Sequence, residues 1–158
     1  LADNVISVGA TYKYDFLAPF SNYWTKNVDV AAPGMLIHSQ IPGDLYLKVS
    51  GTSQAAPYVA NIAGQIKDIN KNLTPKQIKE IIMGTVDLKS FLKNKVKAKG
   101  IVNMGRAAHA AKLSISADIA TAISEARVSI DDVKSSSVKA MHRGAMDIVP
   151  IPLTPMFQ

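Results

Sequence analysis

In the run Ser50-Gly51-Thr52-Ser53-Gln54-Ala55-Ala56-Pro57-Tyr58-Val59-Ala60 a serine stands where a nucleophile would be useful. The residues before it carry a strand pattern and those after it a helix pattern, so Ser53 falls at the turn between them. Gly51 gives that backbone room, and Pro57 is tolerated because the first helical N–H groups have no intrahelical acceptor. At a helix N-terminus the hydroxyl is exposed, while its own N–H and the positive dipole end face charge developing on an attacked carbonyl. That arrangement serves acyl transfer. The same spacing also suits a serine that does nothing but cap the helix.

Other chemistry is sparse. There is no cysteine, which excludes disulfide scaffolds, thiolate zinc sites, cysteine nucleophiles and iron–sulfur clusters together. The histidines are scattered: His38 falls in a strand pattern, His109 among the alanines of Arg106-Ala107-Ala108-His109-Ala110-Ala111, and His142 in a tail without a recognisable element. None sits in a group with metal-ligand spacing.

The elements that position Ser53 can be traced along the chain. Asn4-Val5-Ile6-Ser7-Val8-Gly9-Ala10 and Val28-Asp29-Val30-Ala31-Ala32 read as strands, the second closed by Pro33-Gly34. Met35 to Ser39 and Leu45 to Val49 are two more, separated by the turn Pro42-Gly43-Asp44. From Ser53 to about Asn70, Ala56, Val59, Ala60, Ala63, Ile66 and Ile69, with Ile62, follow helical spacing. The alanines predict a helix buried close to a sheet. Thr74 as N-cap and Pro75 at the first position begin a second helix that ends near Gly84. Gly100 to Asn103 reads as a short strand and Met104 to about Lys112 as a helix. Ser116 then reads as the cap of an amphipathic helix reaching about Arg127. Lys134 to Ser137 is rich in serine, and the end, with Pro150, Pro152 and Pro155, reads as an extended arm.

Taken together, these blocks resemble one family. Gly51-Thr52-Ser53-x-Ala55-Ala56-Pro57-x-Val59-Ala60 is similar to the nucleophile signature of the subtilisin-like serine proteases, the subtilases. Asn4 to Ala10 resembles the strand after that family's oxyanion region, Phe20-Ser21-Asn22 its F-S-x element, and Val28 to Gly34 its D-V-x-A-P-G strand end. Leu73 to Ile78 resembles the helix after the nucleophile helix, and Gly100 to Ala108 the closing G-x-(I/V)-N segment. The blocks run in the family's order over about residues 1–112. Gln54 stands where methionine is common, which implies lower sensitivity to oxidation. Tyr58 stands where histidine is usual, and Asn61 where glycine is.

The resemblance implies an α/β fold, a three-layer α/β/α arrangement on a mostly parallel sheet, of which this chain carries the C-terminal portion. It implies that residues 1–112 are the C-terminal part of the peptidase domain and that residues 113–158 form an extension, a helix followed by the proline-rich arm. The activity implied is serine endopeptidase action through an acyl-enzyme on Ser53, with Ser50, Gly51, Thr52 and Gln54 lining the substrate-binding stretch. In the family an aspartate and a histidine precede the serine, and the histidine is the general base. No matching element lies upstream of Ser53 here, so the aspartate, the histidine and the oxyanion asparagine are expected from an N-terminal segment of the same protease, held as a separate chain. Such a division, and a start at Leu1 rather than at methionine, suit autoprocessing of a longer protein. Asp29 and the Val5 carbonyl match the positions of a weak cation site in some relatives, for a structural calcium or a monovalent cation. The plainer reading of Asp29 is a structural hydrogen bond. No other cofactor is implied, and the localisation implied is secreted or cell envelope.

Composition bounds the rest. The 158 residues are 47% hydrophobic and 19% charged, enough for one compact domain with an appendage. The net charge of +6 falls wholly between Lys67 and Lys99, where nine lysines face Asp68, Glu80 and Asp87. With Phe91 the only aromatic in that stretch, nothing pairs base stacking with a phosphate track, so the run reads as a solvated lysine-rich face, with an anionic partner as the alternative, and nucleic acid is not expected. The partner that the resemblance implies is a protein or peptide substrate. No apolar run is long enough for a membrane span. Two rival functions remain. One is a non-catalytic fragment or pseudoenzyme that acts as an interaction module through its C-terminal tail. The other is an α/β-hydrolase using Ser53, Asp68 or Asp87, and His109, against which Ala55 replaces the final glycine of G-x-S-x-G.

Overall fold

A computed structural model describes residues 2–13 and 16–132; the tail beyond, with His142 and the proline-rich arm, lies outside the described residues. The strands are β1 (Val8–Tyr12), β2 (Phe16–Leu17), β3 (Val30–Pro33), β4 (Ile37–Ile41) and β5 (Leu45–Val49). The helix α1 (Thr52–Ile69) follows, then α2 (Pro75–Gly84), β6 (Asp87–Leu88), β7 (Gly100–Ile101), α3 (Met104–Leu113) and α4 (Ile119–Ser129).

The main sheet has the order β2-β1-β3-β7-β6. Its centre is parallel: Gly9 pairs with Ala31 and Ala31 with Ile101. Both flanking pairings, β1 with β2 and β6 with β7, are antiparallel, so the sheet is mixed within an α/β fold. β4 and β5 form a separate antiparallel hairpin.

Side-chain alternation on β3 divides the core. Val30 and Ala32 point to the side where α1 lies and join Ala55, Val59, Ile62 and Ile66 of that helix. Ala31 points the other way, into a cluster with Val28, Leu92, Val96 and Ile101. The Ser90–Leu92 turn of 3₁₀ helix supplies part of that opposite layer.

α1 is less enclosed than its alanines suggest. Ala55, Val59, Ile62 and Ile66 are buried, yet Ala56, Pro57, Ala60 and Gly64 are exposed, and so is Ile69. One apolar stripe meets the sheet and a second, of small side chains, faces outward. Tyr58 packs against the core, and Asn61 accepts a hydrogen bond from Gln65 on the open side.

α2 forms as its sequence dictates. The Thr74 hydroxyl accepts from the Gln77 N–H, the Gln77 side chain accepts from the Thr74 N–H, and Pro75 occupies the first turn. α4 is capped by Asp118 and not by Ser116: the Asp118 carboxylate accepts from both the Thr121 N–H and its hydroxyl. These hydrogen bonds from Thr121 hold the Asp118 carboxyl below its usual value. A carboxyl so depressed adds stability above its ordinary pKa, and that contribution is lost as acid protonates it.

α4 packs against α2 and α3. Ala122 and Ala126 are fully buried, and a Cβ on Gly84 would come within 2.7 Å of Ile123. Arg127 donates from Nε to the Gly84 carbonyl at 2.6 Å and from Nη2 to Val86 at 3.2 Å. Burial, and then the nearby charge of Arg106, push the Arg127 guanidinium down from its ordinary value, against the opposing pull of Asp132 and Asp87.

Candidate active site

Ser53 is the second residue of α1, and it is exposed. The cap is Gly51, which has no side chain to accept a hydrogen bond, so the capping role read from the spacing falls to a residue that cannot perform it with a side chain. The serine is left with its hydroxyl outside the first turn and its N–H among the unpaired donors of a helix 18 residues long. Those donors and the dipole give this end of the helix positive character, suited to an oxyanion forming beside Ser53.

Three tight contacts fix the turn that carries it. The Gly51 N–H donates to the Gly34 carbonyl at 2.7 Å, and Gly51 in turn accepts from the Gln54 N–H at 3.1 Å. The Ser50 hydroxyl accepts from the Leu36 N–H at 2.9 Å, tying the end of the hairpin back to its start. Gly34 itself has no room to spare: a Cβ there would lie 2.7 Å from both the Ala10 Cβ and the Gly51 oxygen. The Pro33-Gly34 turn at the end of β3 is therefore the seat on which the start of α1 rests.

A test follows at that position. Gly34→Ala is expected to cost about 1–3 kcal/mol through overpacking, read as a lowered unfolding midpoint. It should also slow modification of Ser53 by an acylating reagent by about 100-fold, because shifting Gly51 moves the serine. An unaltered labelling rate would show that the seat does not set the position of Ser53.

The expected substrate-binding residues lie together here. Ser50 and Gly51 form the approach, Thr52 is exposed at the first helical position, and Gln54 is half-buried with its side-chain oxygen beside Gly51. The histidines are elsewhere. His38 is exposed on β4 opposite Lys48, and His109 is half-buried in the middle of α3. Among the described residues no hydrogen bond joins Ser53 to a histidine or a carboxylate. The α/β-hydrolase reading fails on placement: Asp68 is near the far end of α1, roughly 22 Å along the helix from Ser53 at 1.5 Å per residue. Asp87 is buried, accepting from the Asn103 side chain at 2.8 Å and paired with Arg106 at 3.4 Å.

Asp29 and Val5, marked for a cation, are brought together as well. Asp29 is buried, and its Oδ2 accepts the Ser7 N–H at 3.0 Å. The Lys79 ammonium lies on the same oxygen at 3.0 Å and donates to the Val5 carbonyl at 2.6 Å. Lys79, one of the nine lysines of the basic run, is buried and not part of a solvated face. The signal that would have found it is its place on α2 beside Ile82, on the edge of the apolar stripe. Among the described residues there is no group of three or more histidine or acidic side chains arranged to hold a metal, and no helix long and apolar enough to cross a membrane.

Comparison with known proteins bears on the family and the fold. The model of the Subtilase family matches residues 1–121. A thermophilic serine proteinase of Bacillus sp. strain AK1 is 47% identical over 85 residues, covering 54% of this chain and 20% of that protein. Subtilisin-like protease 1 of Plasmodium falciparum is 39% identical over 114 residues, 69% of this chain and 17% of the relative. The cell wall-associated protease of Bacillus subtilis strain 168 is 41% identical over 87 residues, 55% of this chain and 10% of the relative. A chain from the assembly of the subtilase cytotoxin SubAB superposes with a TM-score of 0.61 at 23% identity, covering 80% of this chain and 39% of that one. The chain thus spans a fifth or less of these curated relatives.

Proposed function

Because this chain belongs to the subtilase family, we propose that it is the nucleophile-bearing part of a serine endopeptidase, hydrolysing peptide bonds through an acyl-enzyme on Ser53. The observation that carries the reading is the placement of Ser53: an exposed hydroxyl at the open N-terminus of a long helix, held by the Gly34–Gly51 contact. The Ser53 Oγ attacks the peptide carbonyl and gives its proton to a histidine base; the histidine then protonates the leaving amine, and water resolves the acyl-enzyme by the same steps. The Ser53 N–H faces the developing oxyanion, and residues Ser50 to Gln54 flank the substrate backbone.

The histidine, its aspartate and the oxyanion asparagine come, in this proposal, from an N-terminal segment of the same protease. Two features support that. The relatives extend far beyond the stretch they share with this chain. α1 also turns the small residues Ala56, Ala60 and Gly64 outward, and Ala63 and Lys67 of the same helix line a mainly apolar hollow of about 320 Å³ with Ile6, Leu73 and Ile78. An unpartnered face of small and apolar side chains suits a covering segment. The similarity to a cell wall-associated protease supports a secreted or cell-envelope location for the whole protein.

Treatment of the native protein with a fluorophosphonate probe, followed by mass spectrometry of every polypeptide present, tests the proposal. The expected result is a phosphonate on Ser53 and recovery of the upstream segment, contiguous or as a second chain. Absence of labelling in a folded preparation would favour the non-catalytic interaction module.

A further inference from the structure

The carboxylate of Asp29 and the carbonyl of Val5 converge on one point from two strands' beginnings, and the point is filled from a third element by Lys79 of α2. The Lys79 side chain is 11% exposed and that of Asp29 1%, so this is a desolvated pair and not a surface contact. Calcium takes six to eight oxygens at roughly 2.3–2.6 Å. Here the two converging oxygens already hold an ammonium at hydrogen-bond distance, and a second cation would meet its charge. The residues as arranged do not fit a bound metal ion.

We infer that Lys79 is a tethered cation: its ammonium occupies a site that would otherwise bind a metal ion, and it fastens the approach to β1, the start of β3 and α2 without one. The chemistry matches. An ammonium is a compact point charge with three donors; here it donates to the Val5 carbonyl and pairs by charge with the Asp29 carboxylate. Asp29 is held ready by the Ser7 N–H on the same oxygen and by its own backbone, whose N–H donates to Ser7 and whose carbonyl accepts from Ala98. The mouth is open to solvent, Val5 being 46% exposed, so removing the ammonium leaves a carbonyl and a carboxylate that water and a small cation can reach.

The test uses the intact protein and compares Lys79→Ala with wild type in cation-free buffer, in saturating potassium or calcium chloride, and in tetramethylammonium chloride of equal ionic strength. The readout is the unfolding midpoint, taken as the difference from wild type so that cation sites elsewhere cancel. Lys79→Ala should melt about 5 °C or more lower without added cation. It should recover most of that difference in potassium or calcium but not in tetramethylammonium, through preferential binding to the folded state. The recovery should vanish in the Asp29→Asn/Lys79→Ala double variant. Lys79→Met, which keeps the apolar stem, replaces Lys79→Ala where the latter fails to fold. No loss of stability, no recovery by either cation, recovery that persists without Asp29, or failure of both variants to fold in any cation each overturns the inference.

Discussion

Ser53→Ala in the intact protein is expected to lower peptide hydrolysis by about 10⁶-fold, roughly 8 kcal/mol of transition-state stabilisation, while leaving the fold in place. The size follows from what the hydroxyl alone supplies. Without it no acyl-enzyme forms, and only the oxyanion donors and substrate binding continue to act on water, leaving about 10³–10⁴-fold over the uncatalysed rate. The fold is spared because Ser53 is exposed at the second position of α1 and does not cap it. Alanine at a helical position changes stability by no more than about 0.5 kcal/mol. Loss of turnover with an unchanged melting curve and an unchanged KM is therefore the signature of a nucleophile. A parallel Ser50→Ala variant separates chemistry from support. Its hydroxyl accepts the Leu36 N–H, so its loss should cost about 1 kcal/mol of stability and a much smaller part of kcat. Turnover that survives Ser53→Ala would remove Ser53 from the chemistry.

What the sequence disclosed and what it concealed divide along physical lines. α2 was legible to the residue, because Thr74, Pro75 and Gln77 make a local start signal that needs no tertiary partner. The start of α4 was misplaced by two residues because Ser116 and Asp118 both precede the same apolar pattern. The carboxylate won by accepting from the Thr121 N–H and hydroxyl together. Strand β1 begins at Val8 and not near Asn4, since the Ser7 N–H is drawn off to the side chain of Asp29 and the Val5 N–H to the Ala2 carbonyl. The short strand at Gly100 ends at Ile101 because Asn103 is the cap of α3, its side chain accepting the Arg106 N–H. Ser53 was legible through its position between a strand and a helix, whereas its seat on Gly34 was not, since the Gly34–Gly51 contact is closed by the pairing of β4 with β5 and the Gly34–Ala10 contact by the parallel pairing of β1 and β3. Buried cations were hidden for the same reason. Lys79 and Arg106 look like surface charges in a one-dimensional pattern, and their partners are supplied by other elements.

Arg106 makes the larger structural prediction. All its N–H donors are used: Nε and Nη2 reach the Ile130 carbonyl at 2.9 and 2.7 Å, Nη2 also reaches Asp132 at 2.9 Å, and Nη1 reaches the Thr85 and Val86 carbonyls at 3.2 and 3.0 Å. Its side chain is 2% exposed and faces the wholly buried Asp87 at 3.4 Å. Arg106→Ala removes all of these hydrogen bonds and the positive charge facing buried Asp87, so it should destabilise the protein by about 3–5 kcal/mol, well beyond an average substitution. Arg106→Lys should recover only part, since a point charge cannot serve both the Thr85–Val86 carbonyls and the Ile130 carbonyl as a planar fork does. Asp132→Asn, by contrast, should cost no more than about 1 kcal/mol, because Asp132 is 46% exposed. Denaturant unfolding of the three variants orders them, and limited proteolysis locates the damage. The guanidinium bonds the chain just after α4 to the chain between α2 and β6, so Arg106→Ala should open residues 114–132 to cleavage before the sheet is lost. A variant that unfolds as late as wild type, or one whose first cut falls outside that segment, would show that α4 is held by its alanine packing alone.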